Sequence, residues 1–320
     1  MTSVVVVGSF NVDHAWTCDA LPRAGETLAG EYRCGPGGKG FNQAVAAARA
    51  GATTGFICAL GADVGAQLAR ALAVADGIDL RDERSDLPTG TAGIFVDAQG
   101  RNSIVIGAGA NGALSSGYID LQQDAIEGAS VLLVQLESPP DAITQALRRA
   151  RLHGVLTVLN PAPANACPAP ELLVLADLLT PNETEFAALL ARHLDTRIDP
   201  DSVAGMDDAE LHALCRRLLP DGAVVITLGA SGVFVSHVDT NRRGDGHHWY
   251  RIAAEPAHAV DTTGAGDAFN GALAASLANA PQAAFAEHIV FANRYAAMST
   301  ESAGAAMSMP RLADVQARFP

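Results

Sequence analysis

The chain has 320 residues, 49% of them hydrophobic and 18% charged, which is typical of a folded globular protein and excludes a disordered one. Its net charge of −14 argues against nucleic acid as a partner. No basic N-terminal region leads into an apolar segment, and no apolar run is long enough to span a membrane. The cysteines are odd in number and form no C-x-x-C pair, which argues against a disulfide framework or a zinc site: Cys18, Cys34, Cys58, Cys167 and Cys215. We therefore predict a cytoplasmic protein with reduced thiols and no membrane contact.

Short apolar runs alternate with helical patterns along the chain. The predicted strands cover residues 4–7, 54–59, 131–136, 155–159 and 223–228. The predicted helices cover residues 37–50, 64–75, 141–153, 182–192, 207–219 and 268–278. This alternation predicts an α/β fold with a mostly parallel sheet and helices on both faces. In such sheets, ligands bind beyond the carboxyl ends of the strands.

Two segments, about 12–34 and 88–107, break this alternation. The second contains two strand-like runs joined by a polar turn, which predicts a β-hairpin. Together the two segments predict a small projecting sheet, either a lid over the active site or an ordinary surface hairpin. The segments 195–207 and 239–248 are predicted to be exposed loops, and the adjacent His247 and His248 are interpreted as loop residues.

Residues 261–271 read Asp-Thr-Thr-Gly-Ala-Gly-Asp-Ala-Phe-Asn-Gly, with Gly264, Ala265 and Gly266 at the start of a predicted helix. Small residues there leave backbone N–H groups free, and the helix dipole adds partial positive charge, which suits a phosphate chain. Asp267 would repel that phosphate unless its task is to take a proton from an attacking hydroxyl. The segment therefore indicates phosphoryl transfer to an alcohol, or else an ordinary glycine-rich turn.

The chain has one lysine, Lys39, within the run Gly-Pro-Gly-Gly-Lys-Gly-Phe-Asn-Gln (35–43) that precedes a predicted helix. Glycine pairs let a backbone approach a ligand closely. Gly38, Lys39 and Asn42 can donate to hydroxyls or to a phosphate, and we favour this over a capped helix with a surface lysine. In so acidic a chain, ATP binding requires such local devices together with metal cations.

Asn11 and Asp13 alternate after the first predicted strand, so both side chains face one side if the strand continues. An amide and a carboxylate on one face suit the binding of vicinal sugar hydroxyls, although both residues are also favoured in turns. Glu137, after another strand, can accept one more hydroxyl.

Asn182 and Glu185 open a predicted helix at the spacing of a helix cap, which we favour over the organisation of water around Mg²⁺. The run 227–232, Thr-Leu-Gly-Ala-Ser-Gly, ends a strand in a glycine-rich turn. It is a weak nucleotide signal when taken alone.

Together these segments resemble the ribokinase-like (PfkB) family of sugar and nucleoside kinases. The resemblance covers residue 4 to about 310 and rests on residues 8–13, 37–44, 135–139, 160–164, 180–185, 227–229 and 261–271. It implies one domain over residues 1–320, with a Rossmann-like α/β core and a β-sheet lid at about 12–34 and 88–107. It also implies a homodimer that pairs through the lid.

The motifs match the ribose-phosphorylating members best, and the implied activity is ATP-dependent phosphorylation of D-ribose at its 5-hydroxyl. Asp267 would be the general base, and the N–H groups of Gly264, Ala265 and Gly266 the anion hole. The implied sugar site comprises Asn11, Asp13, Gly38, Lys39, Asn42 and Glu137. The implied nucleotide site comprises Asn182, Thr227, Leu228, Gly229, Ala230, Ser231, Gly232, Gly266 and Asn293. The alternatives are a kinase for deoxyribose, fructose or adenosine, and a non-catalytic sugar-binding regulator, which would be expected to lose Asp267 or the anion hole.

The resemblance further implies that Asn182 and Glu185 organise Mg²⁺ through water. A monovalent cation, K⁺, would lie at Asp261, Thr263, Ser299, Ser302, Gly304 and Ser308. Phe41 stands where these kinases often have a small residue, and its ring could trim or reshape the sugar pocket. The loops 195–207 and 239–248 are longer than usual for the family.

Overall fold

The computed structural model describes residues 3–320. The strands are β1 (Val4–Val7), β2 (Asn11–Thr17), β3 (Glu31–Gly37), β4 (Thr54–Leu60), β5 (Asp79–Arg84), β6 (Gly90–Val96), β7 (Asn102–Gly107), β8 (Val131–Val134), β9 (Leu156–Leu159), β10 (Leu178–Leu179), β11 (Ala223–Thr227), β12 (Val233–Ser236) and β13 (Trp249–Ile252). The helices are α1 (Lys39–Arg49), α2 (Val64–Ala75), α3 (Ser116–Leu121), α4 (Gln123–Glu127), α5 (Pro140–Leu152), α6 (Pro170–Leu173), α7 (Glu183–Leu194), α8 (Asp208–Leu218), α9 (Ala265–Asn279), α10 (Phe285–Ser299) and α11 (Leu312–Arg318).

The larger sheet has the strand order β13-β12-β11-β10-β9-β8-β1-β4-β5. The strands from β11 to β5 pair in parallel, and β12 and β13 are antiparallel at one edge. All four valines of the central β1 are fully buried because side chains alternate between two helix-covered faces. Val4 and Val6 join a core with α1, α2, α9 and α10, while Val5 and Val7 join one with α5, α7 and α8. The predicted α/β class and mostly parallel sheet are confirmed.

Most predicted elements are present with shifted ends, and the helix predicted over 37–50 begins two residues later, at Lys39. Gly37 still belongs to β3, and Gly38 has a φ of +88°, a left-handed conformation that favours glycine. The unpredicted elements are β5, β10, β12, β13, α3, α4, α6, α10 and α11. β10 has only two residues, and β5 reads Asp-Leu-Arg-Asp-Glu-Arg, which has no apolar run to reveal it.

The smaller sheet has the order β3-β2-β6-β7. β2 pairs antiparallel with β3 and parallel with β6, and β6 and β7 form the predicted hairpin. Asp97 closes the hairpin turn by accepting the N–H groups of Gln99 and Arg101 at 3.0 and 2.9 Å. The first segment of this sheet extends to Gly37, three residues beyond the predicted limit. Because β2 begins at Asn11, directly after β1, the small sheet starts at the carboxyl end of the large one.

The loop 239–248 is not simply exposed, as had been predicted, because Asp245 is fastened to three elements. Its carboxylate accepts the hydroxyl of Tyr250 at 2.5 Å and the N–H of Ala286 at 2.9 Å, and it lies 2.8 Å from Nε2 of the buried His237. The other predicted loop, 195–207, contains a short 3₁₀ helix, Pro200–Gly205. Within residues 3–320 the five cysteines are free, and no helix has the length and apolar character needed to cross a membrane.

The helices α1 and α9 approach each other unusually closely at Gly271. A Cβ atom on Gly271 would lie 2.5 Å from the Cβ of Ala46 and 2.5 Å from the carbonyl oxygen of Gln43. Neither neighbour is the end of a flexible side chain, so the helices would have to separate. The absence of a side chain at residue 271 therefore sets the spacing of the two helices.

We expect Gly271→Ala to destabilise the protein by about 2 kcal/mol, since overpacking a tight core outweighs the higher helix propensity of alanine. Thermal unfolding followed by circular dichroism measures this. Gly117→Ala is the matched control, because that glycine is an exposed helical residue whose added Cβ would make only an ordinary contact, 3.8 Å from Ser115 Oγ. A Gly271→Ala protein that melts as high as Gly117→Ala would contradict this account of the helix contact.

Candidate active site

Asp267 lies in the first turn of α9, at the carboxyl edge of the large sheet. The preceding Gly264 has a φ of +78°, and a Cβ there would lie 2.9 Å from the Cβ of Ala305. The N–H of Ala265 donates to the carbonyl of Thr262 at 3.2 Å, whereas within residues 3–320 those of Gly264 and Gly266 make no such bond. Gly264, Ala265, Gly266 and Asp267 line a cavity of about 150 Å³. The start of α9 thus presents free backbone donors and a carboxylate to one small space.

The carboxylate of Asp267 is buried and held by two amides of α1. Asn42 Nδ2 donates to Oδ2 at 2.9 Å, and Gln43 Nε2 donates to Oδ1 at 2.9 Å. Burial raises the pKa of Asp267, and this outweighs the opposing effects of Lys39 and of the two amide hydrogen bonds. A raised pKa moves a carboxylate towards the range in which it is an effective proton acceptor near neutral pH.

Lys39 is the first residue of α1 and lines the same cavity. Burial lowers its pKa, but the carboxylates of Asp267, Glu137 and Glu185 raise it by more, so Lys39 stays protonated. Its backbone N–H donates to Glu137 Oε2 at 3.0 Å, and Ser9 Oγ donates to the same oxygen at 2.6 Å. These bonds anchor Glu137 beside the start of α1.

Gly38 brings this turn against the strand junction before β2. A Cβ on Gly38 would lie 2.8 Å from the backbone nitrogen of Asn11 and 2.9 Å from the Cα of Phe10. The two backbones can approach so closely only because residue 38 has no side chain. In the structure the partner of this close approach is the chain itself, and the predicted approach of the glycine backbone to a ligand stays a prediction.

Asn11 and Asp13 lie in β2 and project from one face of the small sheet, as their alternation predicted. Asn11 Oδ1 accepts Asn111 Nδ2 at 2.8 Å, which fixes the orientation of the Asn11 amide. Burial, Glu137 and Asp267 raise the pKa of Asp13 to about 7. Asn42 Oδ1 is buried without a hydrogen-bond partner among the described residues, so this acceptor is free for a ligand hydroxyl.

The predicted cap of α7 is confirmed, and its residues also line the cavity. Asn182 Oδ1 accepts the N–H of Glu185 at 2.8 Å, and Glu185 Oε2 accepts the N–H of Asn182 at 2.9 Å. Asn182, Glu185 and Thr227 share the cavity with Lys39 and Asp267. Burial raises the pKa of Glu185 despite its bond to the Asn182 backbone. The residues that cap α7 thus also form part of the cavity wall.

The turn after β11 is open to solvent at Gly229, Ala230 and Ser231, while Leu228 is buried. Gly232 has a φ of +89° and packs on the end of β13, where a Cβ would overlap the carbonyl oxygen of Ile252. Asn293 on α10 lies outside the cavity of Asp267 and donates its Nδ2 to the carbonyl of Ala253 at 2.7 Å. Its amide nitrogen therefore supports the segment that follows β13, next to the turn.

Asp261 brings together three of the six residues that the sequence associates with a monovalent cation. Its two carboxylate oxygens accept the N–H groups of Thr263 and Gly304, each at 2.9 Å. Burial raises its pKa, but these bonds lower it by more, so the carboxyl stays ionised. The hydroxyls of Ser299 and Ser308 each donate at 2.8 Å to carbonyls of their own helical turns, and Ser302 is exposed.

Phe41 does not trim a sugar pocket, which corrects the expectation from its size. Its side chain is 1% exposed and packs edge-on against Phe10, with ring centroids 5.1 Å apart, and against Phe56 at 5.9 Å. The ring belongs to the core beneath the small sheet, where its backbone N–H also donates to Ser9 O at 2.9 Å. Phe41 therefore contributes to the site only indirectly, by packing in the core next to Phe10 and Phe56.

Several polar residues of the site had no predicted role. Asn160, Thr180 and Asn270 line the cavity, and Gln43 holds Asp267. All four occur inside the motifs that the sequence singles out, so their polarity beside glycine and proline was the available signal. No such signal marked Asn111, whose partner Asn11 is 100 residues away.

The family model described as pfkB family carbohydrate kinase matches residues 1–312. The chain belongs to the pfkB family of carbohydrate kinases. Its resemblance to that family, predicted from the motifs, is confirmed.

Relatives extend over nearly the whole chain. A ribokinase of Haemophilus influenzae is 38% identical, covering 96% of this chain and 95% of that protein. A bifunctional ribokinase/ribose-5-phosphate isomerase A of Fructilactobacillus sanfranciscensis is 37% identical over 97% of this chain, which spans only 55% of that longer protein. The solved structure of Arabidopsis thaliana ribokinase complexed with ribose and ATP has a TM-score of 0.83 and 28% identity, covering 99% of this chain and 98% of that one. The last comparison also confirms the fold with its separate small sheet.

The raised pKa of Asp13 predicts a stability that depends on pH. Because the folded-state pKa of about 7 exceeds the ordinary value of 3.8, the folded state binds the extra proton. The stability it contributes is full below pH 3.8 and is lost as the pH rises through about 7. We expect Asp13→Asn to raise the free energy of unfolding at pH 8 by on the order of 2 kcal/mol, with the gain shrinking towards pH 4.

Thermal melting of the ligand-free protein at both pH values measures this difference. Asp19→Asn, at an exposed loop residue, is the matched control. If Asp13→Asn gains no thermal stability at pH 8, or gains the same at both pH values, the charged form of the Asp13 carboxyl does not destabilise the folded protein.

Proposed function

We propose that this family member transfers the terminal phosphoryl group of ATP to the 5-hydroxyl of D-ribose, with residues 1–320 acting as one domain. The observation that carries the proposal is the buried Asp267 carboxylate at the start of α9, beside free backbone donors and a lysine. The names of the relatives support ribose as the acceptor, and the bound ligands of the Arabidopsis enzyme support ribose and ATP as the substrate pair.

The sugar binds where the small sheet meets the start of α1. Asn11, Asp13 and Glu137 offer oxygen acceptors to ribose hydroxyls, and Gly38 lets the α1 turn lie against the backbone of Phe10 and Asn11 at the edge of this sugar site. Asn42 contributes its unpaired Oδ1. Lys39 adds a positive charge between the sugar and the phosphate chain, since it lines the cavity next to Asp267. A partly charged Asp13 accepts sugar hydroxyls better as the pH rises through 7.

In the chemical step, the ribose O5–H bond breaks and its proton passes to the Asp267 carboxylate. The O5 oxygen attacks the terminal phosphorus as the bond to the bridging oxygen of ADP breaks. Negative charge on the transferred phosphoryl oxygens is stabilised by the N–H groups of Gly264, Ala265 and Gly266, by the α9 dipole and by Lys39. The N–H of Ala265 also bonds the Thr262 carbonyl, so Gly264 and Gly266 are the freer donors.

The nucleotide lies across the exposed turn after β11, with Thr227, Leu228, Gly229, Ala230, Ser231, Gly232, Asn182 and Gly266 along it. Asn293 acts there through the Ala253 carbonyl. Glu185 uses one oxygen in the α7 cap and turns its side chain to the cavity, which fits a carboxylate that holds Mg²⁺ through water. Mg²⁺ supplies charge neutralisation for the phosphates.

A monovalent cation, K⁺, fits the segment around Asp261, where an ionised carboxylate joins the loop before α9 to the loop 300–308 by accepting the N–H groups of Thr263 and Gly304. Thr263, Ser299, Ser302, Gly304 and Ser308 complete this proposed site, mainly through their carbonyl oxygens, because the hydroxyls of Ser299 and Ser308 are already used. The cation would lie next to the start of α9 and support its partial positive charge.

We further propose that two copies pair through the small sheet, as the resemblance implies. Its edge strand β7 exposes Ile104, Val105 and Ile106 by 49, 69 and 52%. An unpaired edge with exposed apolar side chains favours association.

We expect Val105→Glu to shift the protein from dimer to monomer in analytical ultracentrifugation. Val74→Glu, at an equally exposed residue of α2, is the control, and a Val105→Glu protein that remains dimeric contradicts pairing through β7.

We expect Asp267→Asn to lower turnover by roughly 10²- to 10⁴-fold, because it removes the proton acceptor and keeps the shape of the side chain. ADP release with Mg-ATP measures turnover on D-ribose, 2-deoxyribose, fructose and adenosine, with and without K⁺. Calorimetry should show that Asp267→Asn still binds ribose. Asp201→Asn, at an exposed loop residue, is the control. Unchanged turnover in Asp267→Asn would refute the general base, and turnover on another acceptor but not on ribose would refute the substrate.

A further inference from the structure

Gln43 lies behind the Asp267 carboxylate, on the side away from the cavity. It is fully buried, and its Nε2 donates both to Asp267 Oδ1 at 2.9 Å and to Asn160 Oδ1 at 3.1 Å. Its Oε1 accepts Gln135 Nε2 at 2.5 Å. Gln43 does not line the cavity itself, and it is connected to the cavity through Asp267 and Asn160, of which Asp267 is the proposed reacting group.

The orientation of these amides follows from the charge of Asp267. An ionised carboxylate only accepts hydrogen bonds, so Gln43 must turn its NH₂ group towards it. The Oε1 of Gln43 then faces Gln135, which must in turn present its own NH₂ group. Gln135 is wedged against the backbone of the β1 end, since a Cβ on Gly8 would overlap its Oε1. The chain of amides therefore has one consistent orientation, and packing holds its far end.

We propose that Gln43 is a positioning residue for phosphoryl transfer: it fixes the Asp267 carboxylate in its ionised form and in the orientation that receives the proton, and Gln135 holds Gln43 in turn. The proposal rests on the proposed function, in which Asp267 is the base. Asn42 binds the other carboxylate oxygen. Two hydrogen bonds from side-chain amides, one to each carboxylate oxygen, prevent the carboxylate from rotating and leave its remaining lone pairs for the substrate proton.

The charge state of Asp267 depends on several groups that face it from different elements. Lys39 on α1 favours ionisation, whereas Glu137 after β8 disfavours it. Asp13 on β2 and Glu185 on α7 also interact with Asp267 across the site. Against this background, the Gln43 bond selectively stabilises the ionised form, because a hydrogen bond to a charged acceptor is about twice as strong as a neutral one.

The test is Gln43→Met, which keeps the side-chain length and removes the donor. The rate of a single turnover at saturating ribose and Mg-ATP is measured against pH, so that weaker ribose binding through Asp13 does not enter. We expect the acid limb to move to higher pH by roughly 1 to 2 units. Ribose affinity measured by calorimetry should be unchanged. Gln67→Met, at an exposed residue of α2, is the matched control and should retain the parent profile.

Gln135→Met leaves Gln43 in place and keeps the proposal testable if Gln43→Met does not fold. It should move the acid limb in the same direction by less. In the double variant, the shift should equal that of Gln43→Met alone, because Gln135 acts only through Gln43. An acid limb that stays in place in either single variant, or shifts that add in the double variant, would overturn the proposal. A parent protein inactive on ribose would instead refute the proposed function.

Discussion

The close contact between α1 and α9 determines where the proposed reacting groups lie. α1 carries Lys39, Asn42 and Gln43, and the start of α9 carries the free N–H groups and Asp267. The hydrogen bonds from the Asn42 and Gln43 amides to the Asp267 carboxylate therefore form only if the two helices touch. Gly271 against Ala46 makes this approach possible, one turn along α9 from the carboxylate. The hydrogen bonds of the site and the packing of the core are thus one arrangement, and a side chain at residue 271 would disturb both.

The charged groups of the proposed site are concentrated in one small region, and electrostatics explains why. The net charge of −14 repels a nucleotide at long range, and Lys39 is the only lysine available to oppose it. Around it, Asp13, Glu137, Glu185 and Asp267 crowd one region, and burial raises the pKa values of Asp13, Glu185 and Asp267. Carboxylates placed together in this way oppose folding, but they provide acceptors for hydroxyls and a base of raised pKa. A cation bound as proposed would relieve the repulsion between these carboxylates.

The sequence predicted the parallel sheet, the hairpin and the glycine-rich helix starts because each leaves a local pattern: an apolar run, a polar turn or a cluster of glycines. It did not predict that Phe41 lies in the core, since a large residue inside a glycine-rich motif looks the same whether it faces a ligand or Phe10. The hydrogen bond between the Gln43 and Gln135 amides could not be predicted either, because the two residues are 92 positions apart in the sequence. Asp245 was assigned to an exposed loop by its polar neighbours, yet its partners Tyr250 and Ala286 come from other elements. Long-range contacts of this kind require the fold first.

The competing interpretations of the motifs prove compatible rather than exclusive. Asn182 and Glu185 were interpreted either as a helix cap or as part of a metal site, but they form the cap and face the cavity together. The same holds for Gly264, which precedes α9 in a left-handed conformation and opens the proposed anion-binding turn. At the carboxyl edge of a parallel sheet, the chain leaves each strand through a turn into a helix, so the residues that start helices are also those nearest the ligand. A side chain there must satisfy the helix end whether or not a ligand is bound, which keeps the site ordered before the substrate arrives.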